Sequence, residues 1–196
     1  AKLQQVMMSV AQKVPFELVV LDGPAGGFVD AGEAAEALAG AIEGIAGLDK
    51  SKLLVFGGWQ SASRGAGATM QMLGERLGVV DQFQGVDRIT PAADGSFEVM
   101  ERIEGGSYQV SVCAGAPAVL GWATGELPEP PNNPQVGMQN MRFIMPALQK
   151  ATPAKVGAAG VSYLTVAQPQ QKRETRIVKD APVDEIAKEI IDWIKA

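Results

Sequence analysis

The sequence predicts an α/β fold, a parallel β-sheet with covering helices, followed by a β-rich second half and a helical arm. Two observations carry this reading. Segments of helical and strand period alternate over residues 3–77, the pattern of strand–helix–strand units. Between residues 97 and 122, short alternating or apolar runs follow one another, separated by tight turns.

The chain opens with Leu3, Val6, Met7 and Val10 on one helical face, which predicts a short helix. Residues 16–21 form a short apolar run closed by Asp22, Gly23 and Pro24, a buried strand ending in a turn. Asp30 opens a strong helix. Glu33 stands three residues on, which fits a capping box with Asp in place of Ser or Thr. Leu38, Ile42 and Ile45 supply its apolar face, and Gly47 is a plausible stop. Residues 53–56 read as a second buried strand ending at Gly57 and Gly58. A loop of Gly, Ser and Ala leads to a helix over 69–77, with Met70, Leu73 and Leu77 in line.

In the second half, Phe97, Val99, Glu101 and Ile103 share one strand face, and Tyr108, Val110 and Val112 share another. Gly105 and Gly106 between them suit a hairpin turn, because glycine adopts positive φ at little cost. Residues 116–122 form a further apolar strand. Residues 125–134 hold several prolines and read as extended and irregular. Residues 142–150 read as a helix. Residues 152–180 read as a polar loop apart from an apolar stretch at 161–166. A last helix runs over 183–195 with Ile186, Ile190 and Ile194 aligned.

Composition narrows the function. Hydrophobic residues make up 46% and charged residues 20%, the balance of a globular protein. No apolar run reaches the ~20 residues of a membrane helix, and no signal-peptide pattern opens the chain. The net charge of −5 argues against a basic nucleic-acid surface. The one dense basic cluster, Lys172, Arg173 and Arg176, reads equally well as a solvated loop. With no histidine, the commonest general base and the usual catalytic couples are missing. The single cysteine, Cys113, reads as a small buried hydrophobe and fits a reducing compartment. Binding is favoured over catalysis.

The best candidate site is the loop over residues 60–69. Gly65 and Gly67 let backbone approach an anion closely. Thr69 can cap the next helix, whose first amides favour a phosphate. Arg64 adds a charged donor. A strand-to-helix connection without a ligand is the plain alternative. The turn at Arg102 to Gly106 reads as a hairpin in preference to an active-site turn. Met138 and Met141 fall in a Pro-, Gly- and Asn-rich stretch where packing does not demand them. Soft side chains there suit a partner surface.

At this point the residues resemble a known family. Leu53 to Gly58, Trp59-Gln60 and then Thr69-Met70-Gln71-Met72-Leu73 look like the nucleotide loop of electron transfer flavoprotein beta subunits. Arg102 to Gly106, Gln109-Val110 and Pro117-Ala118-Val119-Leu120 resemble the family's later signature. Ile144-Met145, Ala147 and Lys150 resemble the segment after its partner-recognition loop. The blocks run in family order over roughly residues 16–155. Ser63-Arg64-Gly65 stand where the family loop usually carries acidic residues, and Gln135 replaces an arginine after Asn132-Asn133-Pro134. Family members carry further strands ahead of Ala1, so the chain reads as lacking the family's N-terminal segment.

The resemblance implies a Rossmann-like, adenine-nucleotide-binding sheet over residues 1–155 and an arm over 156–196 that contacts a partner. It implies a non-enzymatic electron carrier that pairs with an alpha subunit holding most of the FAD. Electrons would pass from a flavin-dependent dehydrogenase to a membrane quinone oxidoreductase. AMP, as a structural ligand, would contact Gln60, Ser63, Arg64, Gly65, Ala66, Gly67, Ala68 and Thr69. Met138 and Met141 would face the dehydrogenase, with Met141 at the family's apolar anchor position. The compartment implied is the bacterial cytoplasm or the mitochondrial matrix. An adenine-nucleotide-dependent enzyme and a stand-alone nucleotide sensor are the alternatives, although no GxxxxGK[ST] loop is present.

Overall fold

A computed structural model describes residues 2–23, 29–62, 65–123, 128–154, 156–157, 164–165, 167–168, 170, 175 and 177–195. The chain divides into a unit of residues 1–162 and a smaller one of residues 163–196.

The first unit is mixed α/β. Its helices are α1 (Lys2–Ala11), α2 (Ala31–Glu43), α3 (Thr69–Leu77) and α4 (Pro134–Gln149). Its strands are β1 (Leu21–Asp22), β2 (Leu54–Gly58), β3 (Asp81–Pro91), β4 (Phe97–Arg102), β5 (Tyr108–Cys113), β6 (Ala118–Trp122) and β7 (Thr152–Pro153). The main sheet has the order β2-β6-β3-β4-β5. β6 runs parallel to both β2 and β3, and β4 and β5 add as an antiparallel hairpin. β1 and β7 form a separate parallel pair.

Two apolar clusters fill the two faces of the main sheet. On one face, Ala35 and Ala39 of α2 and Met70, Leu73 and Leu77 of α3 close over Val55 and Val119. On the other, Val86, Phe97, Val99 and Leu120 pack together with Phe83 and Trp122 around them. Alternate residues of β6 therefore go to opposite clusters, Val119 to the first and Ala118 and Leu120 to the second, as the pleat requires.

β3 is the element that the sequence pattern hides. Phe83, Val86 and Ile89 all join one cluster although they step by three, a helical spacing. Register shifts between Gln84 and Val86, and again between Val86 and Arg88, each insert one extra residue. The first falls at Gly85, with φ +65°, where the Trp59 ring lies 3.4 Å from the position of a side-chain carbon. The positive backbone angle, and not that contact, is what favours glycine here.

Local chemistry sets several boundaries. Asp30 caps α2 by accepting from the Glu33 amide at 3.0 Å. The reciprocal half of the expected capping box does not form. The Glu33 carboxylate takes the Gly157 amide instead, and the Asp30 amide donates to the Gly157 carbonyl. α2 ends at Glu43 with Gly44 as its cap, earlier than the expected stop at Gly47, which turns with φ +75° further on. The strand expected over 16–21 enters a ladder only at Leu21–Asp22, because its partner β7 is itself two residues long. The hairpin turn forms as expected, with Gly105 at φ +73° and Gly106 at φ +74°. β4 stops at Arg102, however, so Ile103 lies beyond the strand face assigned to it.

The second unit contains α5 (Val183–Lys195), at the bounds the sequence predicts. Ile190, Ile191, Trp193 and Ile194 on it are all exposed. Most of the stretch at 161–166, and all of Lys172, Arg173 and Arg176, lie outside the described residues. No helix among the described residues is long and apolar enough to cross a membrane.

Candidate functional site

The loop at residues 59–68 leaves the C-terminal end of β2 and enters α3. β2 and β6 end at this side while the parallel β3 runs on past it, with Gly57, Gly121 and Gln84 in one register row. Open parallel sheets place ligands outside the carboxyl ends of their strands. The Trp59 amide donates to the Trp122 carbonyl at 3.2 Å, which ties the start of the loop to β6. The Gly65 amide donates to the Ser61 carbonyl at 2.9 Å, which closes a turn. Gly65 and Gly67 hold φ +61° and +63°, the left-handed region that favours glycine.

Gln60 and Ala66 are exposed, and Gly67, Ala68 and Thr69 are half-buried. The structure thus brings six of the eight expected contact residues into one loop and helix start. Ser63 and Arg64 lie outside the described residues. Thr69 does not cap α3. Ala68 holds the cap position and makes no side-chain cap bond, whereas Asp30 and Asn133 cap α2 and α4. The capping role assigned to Thr69 is therefore corrected: its backbone is already helical, one residue too late for that geometry. The amides of the first turn of α3 remain oriented toward the loop, where the helix dipole favours an anion.

Met138 and Met141 sit in a helix and not in a loop. Asn133 accepts from the Gln135 and Val136 amides, and Pro134 occupies the first turn, so α4 starts well before residue 142. Gly137, Asn140 and Ile144 form the buried side of α4. Met138 is 65% exposed while Met141 is half-buried, so the outward residue is Met138. Both border a shallow groove of about 460 Å³ with Met8, Ala11 and Arg142.

Asn140 escapes sequence reading altogether. It is 2% exposed and lies among apolar neighbours in the pattern. Its Nδ2 donates to the carbonyls of Ala11 and Val14, each at 2.7 Å, and its Oδ1 accepts from the Phe16 amide at 3.3 Å. Nothing short of the tertiary contact announces it. A buried carboxylate, Asp87, pairs with Arg102 and pushes that guanidinium above its ordinary value. This bond braces the base of the hairpin turn. Among the described residues, no cluster of three acidic, Cys or His side chains is placed to hold a metal ion.

No protein-family model matches the chain, and no curated protein is similar to it at a significant level.

Proposed function

We propose that the chain is a beta-type subunit of an electron transfer flavoprotein, a nucleotide-binding partner of a flavin-bearing alpha subunit. The observation that carries this reading is the loop at residues 59–68. It joins a parallel strand to a helix with no side-chain cap, at the carboxyl edge of the sheet, and holds two left-handed glycines. That is the geometry a phosphate uses, and it falls on the residues that resemble the family's nucleotide loop. In this reading Gln60, Ser63, Arg64, Gly65, Ala66, Gly67, Ala68 and Thr69 contact AMP. The chain supplies orientation and electrostatics, FAD sits mostly on the alpha subunit, and the flavin carries the redox chemistry. A flavin-dependent dehydrogenase would be the donor and a membrane quinone oxidoreductase the acceptor.

The test is calorimetric titration of AMP into the purified chain and into Gly67→Val. A β-branched residue at φ +63° cannot keep the loop. Saturable binding is expected for the wild type, weakened by about tenfold or more in the variant. Absence of binding at millimolar AMP would overturn the nucleotide reading. A chain that purifies yellow with stoichiometric flavin would favour a second flavin at this site in place of AMP.

A further inference from the structure

The loop at residues 59–68 rises from a part of the sheet that has a glycine floor. Gly57 of β2, Gly121 of β6 and Gln84 of β3 stand side by side, just before Trp59 and the Trp122 carbonyl that anchors it. Neighbours in such a row share one face of the sheet. A carbon added to Gly57 would run into the Met70 thioether, which comes from the first turn of α3. One added to Gly121 would run into the Gln84 carboxamide. Glycine inside a strand marks a place where another group comes close to the backbone, and here two unbranched side chains lie on that floor.

Met70 suits its position, because it packs with Leu73 and Val119 in the apolar cluster on that face. Gln84 does not suit its own. Its Oε1 and Nε2 are both removed from solvent without a hydrogen-bond partner, and among the described residues no other buried side-chain polar atom is left so. Gln82, two residues earlier in β3, shows the ordinary solution. Its carboxamide lies against Gly74 of α3, and its Nε2 donates to the Val79 carbonyl at 2.8 Å. A donor and an acceptor buried unpaired work against the fold, so a group kept in that condition calls for a partner that binding supplies. The Gln84 amide donates to the Glu101 carboxylate at 2.7 Å, which fixes the backbone and leaves the side chain to turn.

We infer that Gln84 is the base-reading residue of the nucleotide site. The inference rests on the nucleotide reading of the loop and adds to it the part of the ligand that is recognised. A carboxamide presents one acceptor beside one donor. The matching edge is that of a 6-aminopurine: its amino group donates to Oε1 while the adjacent ring nitrogen accepts from Nε2. Turning Gln84 toward the ring uncovers Gly121, where the missing side chain lets a flat ring approach the backbone.

Calorimetric titration of the full chain with AMP, and with purine riboside monophosphate, which lacks the 6-amino group, tests the assignment. The wild type should bind AMP about tenfold or more tightly than the second nucleotide. Gln84→Met should bind the two alike, because the preference needs the carboxamide and the amino group together. Equal affinity of the wild type for both nucleotides, or an undiminished preference in Gln84→Met, would overturn the inference and leave the nucleotide loop standing. Failure of the wild type to bind AMP at millimolar concentration would overturn both.

Discussion

Two buried carboxamides divide this fold into a region that uses polarity and a region that tolerates it. Asn140 of α4 makes its three hydrogen bonds to backbone at and just beyond the end of α1. Gln84 of β3 lies flat on Gly121, with neither its Oε1 nor its Nε2 bonded and both removed from solvent. The same functional group therefore has opposite consequences. The carbonyl of Ala11 is one of the orphan acceptors at the end of α1, and α1 has no αL glycine to satisfy it. Asn140 acts as a cap supplied from another helix. Gln84 lies in the register row of Gly121 and Gly57, and its carboxamide packs against Gly121 without a hydrogen-bond partner.

The largest expected effect comes from breaking the first arrangement. Asn140→Leu keeps the volume and leaves the Ala11 and Val14 carbonyls and the Phe16 amide without their partner. A loss of about 2–4 kcal/mol in unfolding free energy is expected, because buried backbone groups left unpaired cost more than a hydrogen bond gains. Urea denaturation of the two proteins measures it. A loss under about 1 kcal/mol would mean that α1 and α4 hold together by apolar contact alone.

The second arrangement should respond in the opposite direction. Gln84→Met retains the length and shape that cover Gly121 and removes two unpaired polar atoms. A gain of about 1 kcal/mol is expected in the same denaturation experiment. The backbone bond from the Gln84 amide to the Glu101 carboxylate, at 2.7 Å, does not involve the side chain and should persist. If Gln84→Met destabilises the protein, the carboxamide serves something other than space filling, and the contrast with Asn140 collapses.

The same contrast shows what could be read before the structure. Elements driven by apolar period were legible: α3 and α5 fall at the predicted bounds, and β2, β4, β5 and β6 lie where runs or alternation place them. Elements set by a tertiary polar contact were not. α4 begins eight residues before the expected residue 142, since Asn133 and Pro134 look like loop in isolation and become a cap and first turn only when Gly137 and Asn140 meet α1. β3 is hidden because two register shifts give its core residues a helical step. The site was legible as a loop, through its glycines and the strand and helix around it. Which residue caps α3 was not, because cap position depends on a single backbone angle at Ala68.

The smallest expected effect concerns side-chain-to-backbone bonds made at the surface. Asp94 in the β3–β4 turn accepts from the Ser96 amide at 3.0 Å and the Ser96 hydroxyl at 2.6 Å. Asp49 repeats the pattern with Ser51, at 3.1 and 2.6 Å. In geometry these match the bonds of Asn140, but both aspartates are exposed, so water competes for every partner. The Ser96 hydroxyl, then its amide, holds the Asp94 carboxyl below the ordinary aspartate value. Asp49 is lowered in the same way, by the Ser51 hydroxyl first. A lowered folded-state value means that the charged form is favoured by folding. The stabilisation is complete above the unfolded aspartate value of about 3.9 and is lost as pH falls through the folded value. Asp94→Asn retains an acceptor for Ser96 and removes the titration. At neutral pH its stability should differ little from wild type, and below about pH 4 it should lose less on further acidification. Thermal unfolding at pH 7 and at successive acid steps measures both arms. A large loss at neutral pH would show that an exposed turn carries the weight assigned here to burial, and the distinction between Asn140 and its surface counterparts would have to be abandoned.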